Sequence, residues 1–114
     1  MFDFQKLTVY QKSKALNSTI LQLIAENRFD NYVNDQLKRA TFSIMLNIAE
    51  GSSRFSNKDR KNFLVISRGS AFECVAILDF LIENHMIVKA TYDELLIAYE
   101  EISKMLYAII QKLD

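Results

Sequence analysis

The stretch YVNDQLKRATFSIMLNIAE, residues 32–50, carries Val33, Leu37, Ala40, Ile44 and Ile48 at spacings of 4, 3, 4 and 4. Apolar residues three and four apart share one face of an α-helix, so this stretch predicts an amphipathic helix from Tyr32 to Glu50. Gly51 follows at once. Glycine accepts the left-handed conformation common just past a helix C-terminus, and the helix is expected to end there.

The same period returns on both sides. Upstream, Val9, Leu16, Ile20, Leu23 and Ile24 mark a helix from after Phe4 to about Asn27, closed by the turn formers Asn27, Asp30 and Asn31. Downstream, the polar loop Ser52, Ser53 and Ser56 leads into a third helix over about Asn57–Asn84. Ser56 is its expected N-cap, with Asp59 at the third helical position. Its stripe reads Phe63, Ile66, Ser70, Glu73, Ile77, Phe80 and Leu81. His85 follows the C-terminus, where an imidazole favours the last carbonyls. Thr91 and Glu94 then form a Thr-x-x-Glu capping box before a fourth helix carrying Leu95, Tyr99, Ile102, Leu106, Ile109 and Leu113. Four long helices with loops of about five residues predict one domain over residues 1–114. It is all-α, an antiparallel up-down-up-down four-helix bundle.

Composition agrees. A chain of 114 residues suffices for one domain and not two. Proline is absent and Gly51 and Gly69 are the only glycines, which disfavours β-sandwiches, barrels and glycine-rich phosphate loops. Cys74 stands alone, excluding an internal disulfide or a cysteine zinc site and fitting a reducing cytoplasm. The opening MFDFQKLTVY lacks the basic and apolar regions of a secretory signal, and no uncharged run reaches ~18 apolar residues, so no membrane span is expected. His85 is the only histidine, and no hydroxyl has a base near it in sequence. Neither catalysis, a metal nor a cofactor is therefore expected.

Charge is balanced overall, with fourteen cations and fourteen anions, but unevenly placed. Residues 51–70 hold Arg54, Lys58, Arg60, Lys61 and Arg68 against Asp59 alone, a net +4, while residues 91–114 carry a net −3. Arg54, Lys58, Arg60 and Lys61, with Phe55 able to stack on a base, form a candidate nucleic-acid-binding patch. A solvated helix end accounts for the same residues equally simply. A second constellation is polar. Gln36, Arg39, Ser43, Asn47 and Glu50 share one face of the second helix, and Ser70 and Glu73 lie within the third helix's stripe. If the two helices pair about residue 53, Arg39 lies opposite Arg68, one turn from Glu73. A buried Glu73 then needs a cation, supplied by Arg39 within the chain or between subunits. Tyr92, Leu96, Tyr107 and Ile110 beside the fourth helix's stripe, with Phe2, Phe4, Tyr10 and Phe55, make more apolar surface than one small core hides, which argues for self-association.

The segment DQLKRATFSIMLNIAEGS (35–52), with GSAFECVAILDFL downstream and FDFQKLTVYQKS at the start, resembles the bacterial four-helix bundle proteins of the 23S rRNA intervening-sequence family. The resemblance runs from about Phe2 to Leu113 and rests on Asn47-Ile48-Ala49-Glu50-Gly51 together with Gly69-Ser70 and Glu73. It implies an up-down bundle assembled as a homopentameric ring. It also implies relatives that serve as accessory variability proteins, which bind nucleic acid and a reverse transcriptase through a basic surface. The family's usual motif reads Ser-Ile-Pro-Ser-Asn-Ile-Ala-Glu-Gly. Here Met45 and Leu46 replace Pro and Ser, so the second helix should be less kinked. Two functions follow: binding of structured RNA or an RNA–polymerase complex through the basic rim, or a protein–protein scaffold that never touches nucleic acid.

Overall fold

A computed structural model describes all 114 residues. After a 3₁₀ turn, η1 (Asp3–Lys6), come α1 (Thr8–Glu26), α2 (Asn31–Ser52), α3 (Asn57–Glu83) and α4 (Lys89–Lys112). Connections of four or five residues force each helix to run back along its predecessor. The helices stand in a square. The α2–α3 pair is the most extensive, α3–α4 and α1–α2 follow, α1–α4 is thin, and the backbones of the diagonal pairs stay apart. The result is the all-α, up-down-up-down bundle, 44 Å long and 24 by 21 Å across.

The core draws Val9, Leu16, Ile20 and Ile24 from α1, Val33, Leu37, Ala40, Ile44 and Ile48 from α2, and Leu95, Tyr99, Ile102, Leu106 and Ile110 from α4. Each fully buried Leu or Ile contributes about 1.5–3 kcal/mol through removal from water. Phe2, Phe4 and Tyr10 stack edge to face, with centroids 5.9 and 4.8 Å apart, and hold η1 against α1. Leu7 is extended and separates the two, where the sequence reads one continuous helix.

The stripe of α3 is turned by one position from expectation. Leu64, Ser67, Ala71, Cys74, Leu78 and Leu81 face inward. Ile66, Glu73 and Phe80 point outward, with Phe63, Ser70 and Ile77 at the margin. Both series keep the helical period, offset by about 100°. Size decides between them: Ser67, Ala71 and Cys74 let α3 approach α2 until the Ser67 hydroxyl donates to the Ile44 carbonyl at 2.7 Å. On α4, Ile110 is core rather than surplus surface.

Two helix ends also differ. Gly51 does not end α2, which continues to Ser52 with no positive-φ glycine anywhere. The Ser52 and Ser53 hydroxyls donate to the Ala49 and Glu50 carbonyls and finish the last turn. What Gly51 supplies is room, because a Cβ there would lie 3.1 Å from the Phe63 Cβ and 3.3 Å from the Arg60 carbonyl oxygen. Thr91 is not an N-cap. α4 starts at Lys89 after Val88, where buried Ile87 pins the incoming chain and Lys89 pairs with Asp93 at 2.8 Å. Ser56 does cap α3, accepting from the Asp59 N–H at 3.1 Å.

The end of α3 is closed by backbone bonds, with Asn84 Nδ2 also donating to the Phe80 carbonyl at 2.8 Å. Met86 N–H donates to the Leu81 carbonyl at 2.8 Å and His85 N–H to the Ile82 carbonyl at 3.1 Å, the paired bonds of a Schellman motif. The motif needs a left-handed residue, and His85 takes it at φ 56°. A residue with a Cβ is strained there by about 1 kcal/mol. His85→Gly should therefore raise the melting temperature by about 4 °C. A thermal scan showing no gain would mean that the imidazole returns as much as the backbone loses.

Candidate functional site

The turn from α2 to α3 gathers the five residues of the basic patch. Phe55 at its tip is wholly exposed, at 100 %. Three of the four cations already have partners within the chain. Arg54 Nη2 meets Glu50 Oε1 at 2.8 Å, and its guanidinium lies 4.5 Å over the Phe63 ring. Arg60 Nε donates to the Arg54 carbonyl at 2.7 Å and closes the loop. Lys61 Nζ pairs with the Asp114 carboxylate, tying the start of α3 to the end of the chain. These partners explain how cations sit at a helix N-terminus against its dipole. Lys58 alone is exposed without an ion pair. Glu50, Asp59 and Asp114 thus stand among the four cations, and the local field is weaker than the linear count implies.

The seven residues of the polar seam fall into three groups. Ser70 Oγ bonds Ser43 Oγ at 2.9 Å across the α2–α3 pair, and Asn47 Nδ2 donates to the Ser43 carbonyl at 2.8 Å and hydroxyl at 2.9 Å. Arg39 donates to Gln36 Oε1 at 2.5 Å and lies 3.9 Å from Glu73 Oε2. Glu50 leaves the seam for Arg54. The turn occupies residues 53–56, so α3 begins later than a turn centred on residue 53 would allow. Arg39 therefore faces Glu73 directly and not Arg68. Glu73 is not buried either; its side chain is 45 % exposed, and such a pair is worth about 0–1 kcal/mol.

Two further features are absent from the sequence reading. Arg68 turns toward α4, its guanidinium 4.8 Å from the Phe72 ring and 5.3 Å from the Tyr107 ring, with Nε directed at the Ser103 carbonyl at 3.4 Å. It overlooks a groove of about 320 Å³ between α3 and α4, lined by Ala71, Val75, Leu96 and Tyr99 with Glu100 and Lys104 at the rim. The Arg68–Phe72 spacing of four was a legible signal; the third member, Tyr107, comes from the packing. A larger open cleft of about 980 Å³ lies between η1 and the end of α2, where Phe2, Leu46, Asn47, Glu50 and Phe63 meet.

The second feature is a polar cluster inside the core. The Thr41 and Tyr99 hydroxyls share a 3.0 Å hydrogen bond, with Cys74 beside them. Burial pushes the Cys74 thiol up to about 12, with hydrogen bonding to Tyr99 opposing it, and burial also raises the Tyr99 phenol. The folded chain holds these protons where the unfolded chain, with a thiol near 9, releases them. Stability from this cluster is whole below pH 9 and is lost as pH rises toward 12. Urea midpoints should be level from pH 7 to about 9 and then fall, with a shallower fall in Cys74→Ala. Equal slopes in the two proteins would remove Cys74 as the cause.

A search among curated proteins finds no match. Solved structures give a different result. One is a crystal structure of a protein of unknown function from the S23 ribosomal protein family of Bacteroides thetaiotaomicron VPI-5482. It is 28 % identical and superposes with a TM-score of 0.86 over 90 % of this chain and 98 % of that one. The sequence matches the family described as 23S rRNA-intervening sequence protein over residues 5–108, from within η1 into α4. With α1 to α3, most of α4 and the Asn47–Gly51 motif inside that match, the chain belongs to the 23S rRNA-intervening sequence protein family.

Proposed function

We propose that the protein is a non-enzymatic scaffold that associates with itself and presents surfaces to other macromolecules. The observation that carries this is the apolar outer face of the α2–α3 pair. Tyr32, Leu46, Ile66 and Phe80 are exposed there around the Ser43–Asn47–Ser70 seam, with Phe42 at the border with α1. Large apolar side chains gathered on one face, with a polar centre whose bonds are already made, are the makings of a protein interface. The free thiol of Cys74 suits a reducing, cytoplasmic setting. Light scattering at about 10 µM should give a multiple of 13.2 kDa, and the family resemblance sets that multiple at five. Ile66→Glu with Phe80→Glu should yield a helical monomer. A monomer mass for the unmodified chain would overturn the proposal.

A second reading has its own support: Phe55 and Lys58 are free at the turn, and the family name refers to ribosomal RNA. On this reading the turn contacts structured RNA by stacking and a phosphate contact. Affinity for a structured RNA should then fall as salt rises, and Lys58→Ala should weaken binding and make the salt dependence shallower by about one counterion. Absence of RNA binding at low salt would leave the scaffold alone.

A further inference from the structure

The α3–α4 groove holds a cation prepared for a partner that the chain does not supply. Of the neighbouring acidic side chains outside the groove, Glu73 faces Arg39, Asp79 accepts from the Tyr92 hydroxyl at 2.6 Å, and Glu101 pairs with Lys12 at 2.6 Å. Glu100, on the rim, forms no ion pair with Arg68. Arg68 is nonetheless held in place, by the Ser103 carbonyl at Nε and by the Phe72 and Tyr107 rings. Its two Nη atoms have no hydrogen-bond partner and form a fork matched to a carboxylate. Phe72 is 57 % and Tyr107 49 % exposed, and arginine with aromatics is the composition of interface anchor points.

We propose that this groove receives an acidic residue of a separate partner protein. Its carboxylate lies on Arg68, with Lys104 adding charge, and its apolar neighbours lie on Ala71, Val75 and Leu96. A phosphodiester chain, with a charge at every nucleotide, fits less well than a single carboxylate flanked by apolar groups, because Glu100 and Glu101 stand on α4 beside a hydrocarbon floor. The proposal rests on the scaffold reading only in taking the chain to dock proteins. The groove lies on the α4 side of α3, away from Ile66 and Phe80.

The test is an amide-resonance titration of the full chain with N-acetyl-Leu-Glu-Leu-amide. Resonances of residues 68–72 and 103–107 should shift saturably with a Kd of about 1 mM. The Leu-Gln-Leu counterpart should bind about tenfold more weakly, and Arg68→Met, which keeps the stem's packing, should abolish the difference. Equal binding of the two peptides would overturn the proposal. So would tighter binding of octanoate or inorganic phosphate, or no saturable shift up to about 20 mM. Light scattering on Arg68→Met should show an unchanged mass. A drop would put the carboxylate on a second copy and overturn the assignment to a separate partner. Peptide binding retained by Ile66→Glu with Phe80→Glu would separate this site from the assembly face.

Discussion

The closeness of α2 and α3 is the constraint on which the other features depend. It exists because Gly51 has no side chain and because α3 presents Ser67, Ala71 and Cys74 inward. A hydroxyl-to-carbonyl bond between helices, from Ser67 to Ile44, is possible only at such range. Two consequences follow. The small residues leave volume over α3 that Tyr99 of α4 fills, placing its hydroxyl on Thr41 of α2 and so joining three helices at a buried point. With the small series inside, the larger series of α3 is turned out, and Ile66 and Phe80 become surface.

That trade explains what the sequence disclosed and what it did not. The core face of α2 was legible because it has one apolar series, Val33 to Ile48, and all five members are buried. α3 has two series of equal period, and choosing the bulkier one put Glu73 in the buried stripe, although Cys74 beside it was read as a small buried side chain and is one. Periodicity reports a stripe without reporting which neighbour it must fit. Ser56 was a correct cap because a local hydroxyl and a local N–H suffice, whereas Thr91 failed because burial of Ile87 set the start of α4 instead. The seam was read in part: Ser43, Asn47 and Ser70 meet, while Glu50 turns to Arg54. The basic patch was overestimated because Lys61 finds Asp114, 53 positions away, and no local count of charge includes that residue.

The cations consequently divide by task. Arg54, Arg60 and Lys61 are spent on closing a turn and holding the chain end. Arg68 stabilises no turn and no pair, yet two aromatic rings and the Ser103 carbonyl surround its guanidinium. Charge density and chemical readiness therefore point to different stretches of α3, its first turn and its middle. The more informative quantity is the number of directed partners each guanidinium already has.

The thin α1–α4 boundary bears on motion. The buried side-chain hydrogen bonds between helices, Ser67 to Ile44 and Thr41 to Tyr99, all lie among α2, α3 and α4. Buried Ser13 on α1 donates only to its own helix, at the Val9 carbonyl, and α1 meets α4 through the solvent-exposed Lys12–Glu101 pair. What retains α1 is apolar contact, which is not directional, and a single short loop. Directional bonding is therefore unevenly shared: parting α1 from the other three helices would break apolar packing and a surface ion pair, but no buried polar bond between helices.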